Sequence, residues 1–301
     1  MSAVRKIAVL EPRPLSSSRS PPRWRAGARG KPLRRGLVGL LLPAALLVLW
    51  EAVARAQLVQ ANLLPPPSAV AATVWSLARS GELASHIEIS LLRVAVGFVL
   101  GAVAATALGA ASGYSEAFRR VVDPTIQGLR SIPSIAWVPL FILWLGIFEA
   151  SKVTLIAVGA FFPIYLNLVS GIQQVDRKLV EVGRIYGFTG FALVRRVLLP
   201  ATLPAYVTGL RGGLGLAWMF LVAAEFMGAS EGLGFLLVDG QQTGRPALII
   251  GSIILFAVLG KLSDLALANV GQRFLSWQDS YQAATERKSA HVADRPRLQA
   301  V

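Results

Sequence analysis

The 301-residue sequence has no cysteine and only two histidines. Without cysteine there is no disulfide framework, thiolate metal site or cysteine nucleophile. His86 and His291 lie far apart, His291 in a polar terminal stretch, so a histidine-built metal centre or histidine-activated nucleophile has little material. No metal, cofactor or catalytic residue is therefore expected. Charge is scarce as well: 15% of residues are charged and 54% hydrophobic, against about 25% and roughly 45–50% in soluble domains. Acidic residues are the rarer sign, 16 against 30 Lys and Arg, which leaves a net charge of +14. A membrane-embedded enzyme would need clustered acids, histidines or nucleophiles that this chain lacks.

Long apolar runs are what the sequence does have. About 20 residues at 1.5 Å each cross a hydrocarbon core of about 30 Å, and six segments qualify: residues 36–54, 91–113, 132–147, 153–172, 209–227 and 247–270. The second is rich in Gly and Ala, which let helices approach closely, and should pack inside a bundle. Pro133 and Pro139 interrupt the third, and Pro163 the fourth; membrane helices tolerate such breaks where neighbours satisfy the freed backbone. Between the first two, Pro65 to Pro67 forbid a continuous helix, and a short amphipathic helix follows. The first run could imitate a cleaved or twin-arginine signal through "ARA" at 54–56 and Arg34-Arg35. The long preceding tail and the length of the run favour an uncleaved anchor.

The net charge could suggest nucleic acid, but its distribution reads otherwise. Residues 1–35 hold ten Lys and Arg and one Glu in a Pro/Ser-rich context, and are read as a disordered tail. With both termini inside, the inner segments 1–35, 114–133, 173–212 and 271–301 carry +9, +1, +4 and +2, while everything else sums to −2. That is the bias expected of cytoplasmic loops. Basicity is a topology signal here, and no nucleic-acid partner is expected. The organisation expected is a basic cytoplasmic tail (1–35), an N-terminal transmembrane helix (36–56), a periplasmic loop (57–85), a transmembrane domain (86–270) and a cytoplasmic C-terminal tail (271–301).

The most informative segment is the inner loop "QQVDRKLVEVGRIYGFTGFALVRRVLLPATLPAYVTGLR". Asp176 is a good N-cap and Gly187 suits a left-handed C-terminal position, so a helix over 176–186 is expected, then a second that begins after Gly190 and stops before Pro200. Glu181, Gly187 and Pro200 fall at E, E+6 and E+19, with Val197 and Leu199 just before the proline. This spacing resembles the inner-loop signature of permease subunits of binding-protein-dependent ABC importers. Gly183 stands where that family usually has Ala. The phrases "LLPPPSAV", "RSIPSIAWVPLFILWLGI", "FFPIYLNLVSGI", "LVEVGRIYG", "AEFMGASEGLGFLL" and "LGKLSDLAL" look like aliphatic-sulfonate permeases, whose relatives carry taurine, nitrate, bicarbonate or pyrimidine precursors.

The resemblance implies an all-α polytopic membrane protein with six transmembrane helices and the type I ABC importer permease fold, in a bacterial inner membrane. It implies a coupling loop over 173–208, in which Glu181, Val182, Gly183, Gly187, Val197, Leu199 and Pro200 meet an ATP-binding subunit present in two copies. It also implies a periplasmic or lipid-anchored substrate-binding protein, a second permease copy in a homodimer, and contact with membrane lipid. No Gly-x-x-x-x-Gly-Lys-Ser/Thr loop occurs in the chain, the nearest string being "GARGKP", so nucleotide should bind on the separate subunit. An ion-coupled secondary transporter would want inverted repeats and a titratable core, neither of which is visible.

Within the spans, each ionisable group is expensive. Arg93 and Glu51 near span ends are expected to reach water, and Lys261 and Asp264, three apart, to pair. Glu225 precedes the Gly-rich "GASEGLG" and suits packing or gating. Donors for an anion along the translocation path are sought in Ser131, Ser134, Trp137, Asn167 and Ser170, with Glu225 as a further polar candidate.

Overall fold

The computed structural model describes residues 32–275 except Ala61 and Met227, and omits the side chains of residues 32–40 and Ser134. The expected tails therefore fall outside the described residues for 1–31 and 276–301. All regular structure among the described residues is helical. Two compact units are distinguished, one up to Leu49 and one from Trp50 onward. Most of α1 (Pro32–Arg55), which carries Pro43 inside it, belongs to the first.

The second unit opens with the end of α1. Glu51 accepts from the backbone N–H of Ser68 at 3.1 Å and from its hydroxyl at 2.9 Å, and pairs with Arg55 at 2.6 Å. It thus fills an orphan donor in the first turn of α2 (Pro67–Ser80), where a negative charge also suits the helix dipole. The helix expected after the proline triplet starts at its last member, Pro67, whose missing N–H costs nothing there. Gly81, at φ +84°, turns the chain into α3 (Glu82–Tyr114), which begins well before the expected span.

The core is α3, α6 (Glu149–Gln173) and α9 (Leu199–Phe226), with Val94, Ile156, Ala160, Ile164, Tyr165, Ala217 and Leu221 buried between them. The central helix is α6, which is buried over more of its length than α3. The Gly/Ala-rich span thus packs along one face only. Its small residues set that contact: a Cβ at Gly97 would meet Ile156 Cγ2 at 2.6 Å, and one at Gly101 would run into the carbonyl oxygen of Ala157. Leu92, Val96, Val99 and Val103 on α3 are exposed, as lipid-facing residues can be.

Helix α4 (Glu116–Ser131) begins at the Ser115 cap and ends at Ile132, whose φ −74° and ψ 124° are extended. After a 3-10 turn (Ser134–Trp137), α5 (Val138–Leu145) sets off with a bend of 91° between the two arms. The segment around the expected third span is thus a broken helix pair that takes in much of the expected polar loop. Helix α7 (Arg177–Ile185) and α8 (Gly190–Leu193) follow α6, and a short α10 (Leu233–Gln242), not expected from the sequence, precedes α11 (Pro246–Phe274). Four helices among the described residues are long and apolar enough to cross a membrane, five with the bent pair counted as one. Of the six expected spans, the remaining one lies at the position of α1.

Of the charge pairings expected in the spans, Lys261 with Asp264 is present and gains a further partner, and Arg93 departs from expectation. Asp264 on α11 lies 3.6 Å from Lys261, but its main partner is Arg211 on α9, a two-pronged contact at 2.8 and 2.9 Å. The planar guanidinium fork matches a carboxylate and the lysine ammonium does not. Arg93 does not reach water; it is buried at 5% exposure.

Candidate functional site

Helix α7 is fixed at both ends by local chemistry. Asp176 Oδ1 accepts from the Lys178 N–H at 2.9 Å, and Gly187 takes φ +77°. The Phe188 N–H bonds to Gly183 O at 3.0 Å and the Gly187 N–H to Arg184 O at 2.9 Å, the 6→1 and 5→2 pair of a Schellman closure. A Cβ at Gly187 would meet nothing within 4 Å, so glycine is needed there for its backbone angle alone.

The second helix of the loop does not stop before Pro200. It starts at Gly190, widens into a π-turn over Val194–Leu198 and continues as α9 into the membrane-spanning segment. The Leu199 N–H bonds to Val194 O, one residue wider than the α pattern. That wider turn accommodates a proline ring that would otherwise clash with the carbonyl four residues back. The second half of the loop, from Gly190, is therefore one continuous helix with α9.

Between α7 and this second helix lies an open groove of about 360 Å³, lined by Leu179, Val182, Gly183, Tyr186, Phe188, Arg196, Val197, Pro200 and Ala201. Of the seven residues expected to act together, Val182, Gly183, Val197 and Pro200 line it and Gly187 shapes its end. Glu181 and Leu199 are exposed and stand outside the lining. Glu181 makes no ion pair among the described residues. Gly183 is buried because its neighbour is close: a Cβ there would meet Val197 Cγ2 at 2.8 Å and Leu193 Cδ1 at 3.0 Å. The sequence reading missed Leu179, Tyr186, Phe188 and Arg196, although 179, 182, 183 and 186 carry the i, i+3, i+4, i+7 spacing of one helix face. Arg196 lies over the Phe188 ring at 5.0 Å, within cation–π range. The face presented outward is apolar and basic, with Ile185, Tyr186 and Phe191 at least 75% exposed beside Arg177, Lys178 and Arg184.

The opposite end of α6 carries a second polar arrangement. Arg93 Nη1 donates to Glu225 Oε1 at 2.7 Å and to Glu231 O at 2.7 Å, while its Nε and Nη2 grip both oxygens of Glu149 at 2.6 Å. Lys152 Nζ joins Glu149 at 3.0 Å. Glu225 also accepts from the Ser90 hydroxyl at 2.7 Å and the Gly234 N–H at 2.8 Å; Ser90 in turn accepts from the Leu233 N–H. The Gly232 N–H donates to His86 Nδ1 at 3.0 Å, and the His86 ring stacks on Phe235. The Gly-rich segment before α10 is thereby tied to α3 and α9. No buried side-chain polar atom among the described residues lacks a partner.

The residues expected along a translocation path are not brought together. Glu225 belongs to this buried network. The Ser131 hydroxyl donates to Gln127 O, Ser170 is exposed and accepts from Gln174, and Trp137 stacks on Phe141. The Ser134 side chain lies outside the described residues. Asn167 Nδ2 donates to Pro163 O at 2.8 Å, and Asn167 alone of the set borders a cavity between α6 and α9.

Residues 97–276 match the family described as the inner membrane component of binding-protein-dependent transport systems. The chain belongs to this family. The permease is 42% identical over 257 residues to a Bacillus subtilis (strain 168) protein named as an aliphatic sulfonates transport permease, covering 84% of this chain and 93% of the relative. It is 31% identical over 284 residues to the taurine transport system permease protein of Escherichia coli K12, covering 92% and 100%. The nitrate import permease protein of Leptolyngbya laminosa is 30% identical over 269 residues, covering 86% of the permease and 95% of that protein. Its fold is that of a chain of the methionine ABC transporter MetNI solved in inward-facing conformations, with a TM-score of 0.56, 22% identity, and coverage of 62% of this chain and 92% of that one. The permease is thus an all-α, multi-pass inner-membrane protein with the ABC importer permease fold.

Proposed function

We propose that this permease forms the translocation pathway of an ATP-driven importer for a small organic anion, with an aliphatic sulfonate as its substrate. The observation that carries the reading is the α7 loop: a short capped helix with exposed apolar residues, standing on a helix continuous with α9. Such an element can receive the motion of a soluble partner and pass it to a span as a rigid body. The partner is an ATP-binding subunit, two copies serving two permease copies in a homodimer, and the permease itself breaks no bond. A binding protein on the outer side delivers the solute near the buried Arg93–Glu225 network, and the α7 loop faces the cytoplasm with both termini. The relative named for sulfonates at 42% identity supports sulfonate over the taurine, nitrate, bicarbonate and pyrimidine-precursor alternatives of the same class.

The test is reconstitution of the permease with its ATP-binding subunit in proteoliposomes and supply of the binding protein, followed by uptake of ethanesulfonate, taurine and nitrate. ATP-dependent uptake that prefers ethanesulfonate is expected. Uptake that persists without the ATP-binding subunit overturns the ABC importer reading, and a preference for nitrate or taurine overturns the substrate.

A further inference from the structure

A cavity of about 390 Å³ lies between α4, α6 and α9, bordered by Arg130, Ile132, Gly159, Phe162, Pro163, Leu166, Asn167, Leu216 and Phe220. Its size is in the range of small-ligand sites, about 300–1,000 Å³. Three features select what could occupy it. Arg130 is the sole charged residue in the lining, no carboxylate borders the cavity, and among the described residues Arg130 makes no ion pair. Asn167 spends one amide hydrogen on Pro163 O and keeps the other. The remaining walls, Ile132, Phe162, Leu166, Leu216 and Phe220, are apolar.

The location agrees with a path for solute. Ile132 is the extended residue at the break between α4 and the following arm, where the expected inner segment 114–133 meets the expected third span. Gly159 and Pro163 lie in the middle of α6, between the Arg93 network at its start and the α7 loop beyond its end. A Cβ at Gly159 would strike the Phe220 ring at 2.6 Å, so the glycine lets that ring lie against α6 instead of filling the space.

We propose that this cavity is the anion subsite of the pathway, with Arg130 and Asn167 holding the acid head and the apolar walls holding a short alkyl chain. The proposal rests on the transport reading above and gives it a chemical reason. An alkanesulfonate uses both halves of the cavity. Nitrate leaves the apolar half without a partner, and the taurine ammonium finds a cation and no carboxylate.

The experiment uses the full transporter in proteoliposomes with its binding protein, and ethanesulfonate, hexanesulfonate and nitrate as solutes. Arg130→Gln should lower ethanesulfonate uptake by about tenfold or more, as loss of a charge-assisted contact implies. ATP hydrolysis stimulated by the binding protein should stay within about twofold of the parent if the residue acts on solute and not on assembly. Arg130→Lys should recover part of the loss. Leu216→Phe should depress hexanesulfonate uptake while sparing ethanesulfonate. Unchanged uptake in Arg130→Gln, parallel loss of uptake and ATP hydrolysis, or equal effects of Leu216→Phe on both sulfonates would each overturn the subsite. Absence of ATP-dependent uptake in the parent protein would instead overturn the transport reading.

Discussion

Arg93 Nη1 lies 2.7 Å from Glu225 Oε1, 132 residues apart in sequence, with both side chains almost wholly withdrawn from solvent. Isolated charges at that depth would be very costly, and a buried pair holds only when its remaining hydrogen-bonding positions are filled. They are: Arg93 uses four of its five donors, and Glu225 accepts from Arg93, Ser90 and Gly234.

Removing one partner should therefore hurt more than removing both. Arg93→Met strands the buried Glu225 carboxylate with only Ser90 and Gly234 as donors. A loss of about 3–5 kcal/mol is expected for an orphaned buried charge, more than for Glu225→Leu, which leaves Arg93 paired with Glu149. Arg93→Met combined with Glu225→Leu should cost less than the sum of the single changes, because Glu149 is 60% exposed and keeps Lys152. Thermal midpoints of the three variants in detergent measure the coupling. Strict additivity would mean that the two groups do not act as a pair.

The Gly-rich segment offers a matched control. Gly228 and Gly232 have nearly the same φ, +120° and +118°, so alanine is strained at both. A Cβ at Gly228 meets nothing within 4 Å, whereas one at Gly232 meets Glu225 Cδ at 2.6 Å and Arg93 Nη1 at 2.8 Å. Gly232→Ala should lower the thermal midpoint well beyond Gly228→Ala, and the difference reports the network alone.

At the loop, Gly183→Ala tests the close approach of α7 to the following helix. Alanine gains helix propensity of about 1 kcal/mol but places its methyl 2.8 Å from Val197 Cγ2. Substrate-stimulated ATP hydrolysis should fall in Gly183→Ala and return in the double variant Gly183→Ala, Val197→Ala, where the space is restored. Failure of the second change to rescue would place the effect elsewhere.

The sequence disclosed those features that depend on near neighbours. The Asp176 cap, the left-handed Gly187 and the start of α2 at the proline triplet follow from residues within one or two turns, where side-chain and backbone chemistry act directly. The continuation through Pro200 was not legible, because a proline alone signals a stop and the π-turn that accommodates it leaves no residue signature. Partners distant in sequence were not legible either. Lys261 pairs with Asp264, three residues away, as its spacing implied, but Arg211, 53 residues away, which takes both oxygens, could not be foreseen. The same holds for Arg93, whose burial depends on carboxylates delivered by two other helices. The cavity beside Asn167 required the break at Ile132 to be seen in three dimensions.

The last prediction concerns surface that the chain leaves uncovered. Ile185 is 84% exposed and Tyr186 75%, on a loop that also carries Arg177, Lys178 and Arg184. Large apolar side chains beside basic ones fit a protein interface, where a few buried apolar and aromatic residues carry most of the affinity. Neither residue contributes to the buried core of this chain, so Ile185→Ser and Tyr186→Ser should leave its own thermal midpoint unchanged. Each should weaken binding of the ATP-binding subunit by about tenfold, the expected effect of losing an interface anchor of about 1.4 kcal/mol. Titration of the purified subunit against permease in nanodiscs measures this. Unaltered affinity in both variants would remove Ile185 and Tyr186 from the contact and leave the groove residues Val182 and Pro200 as its centre.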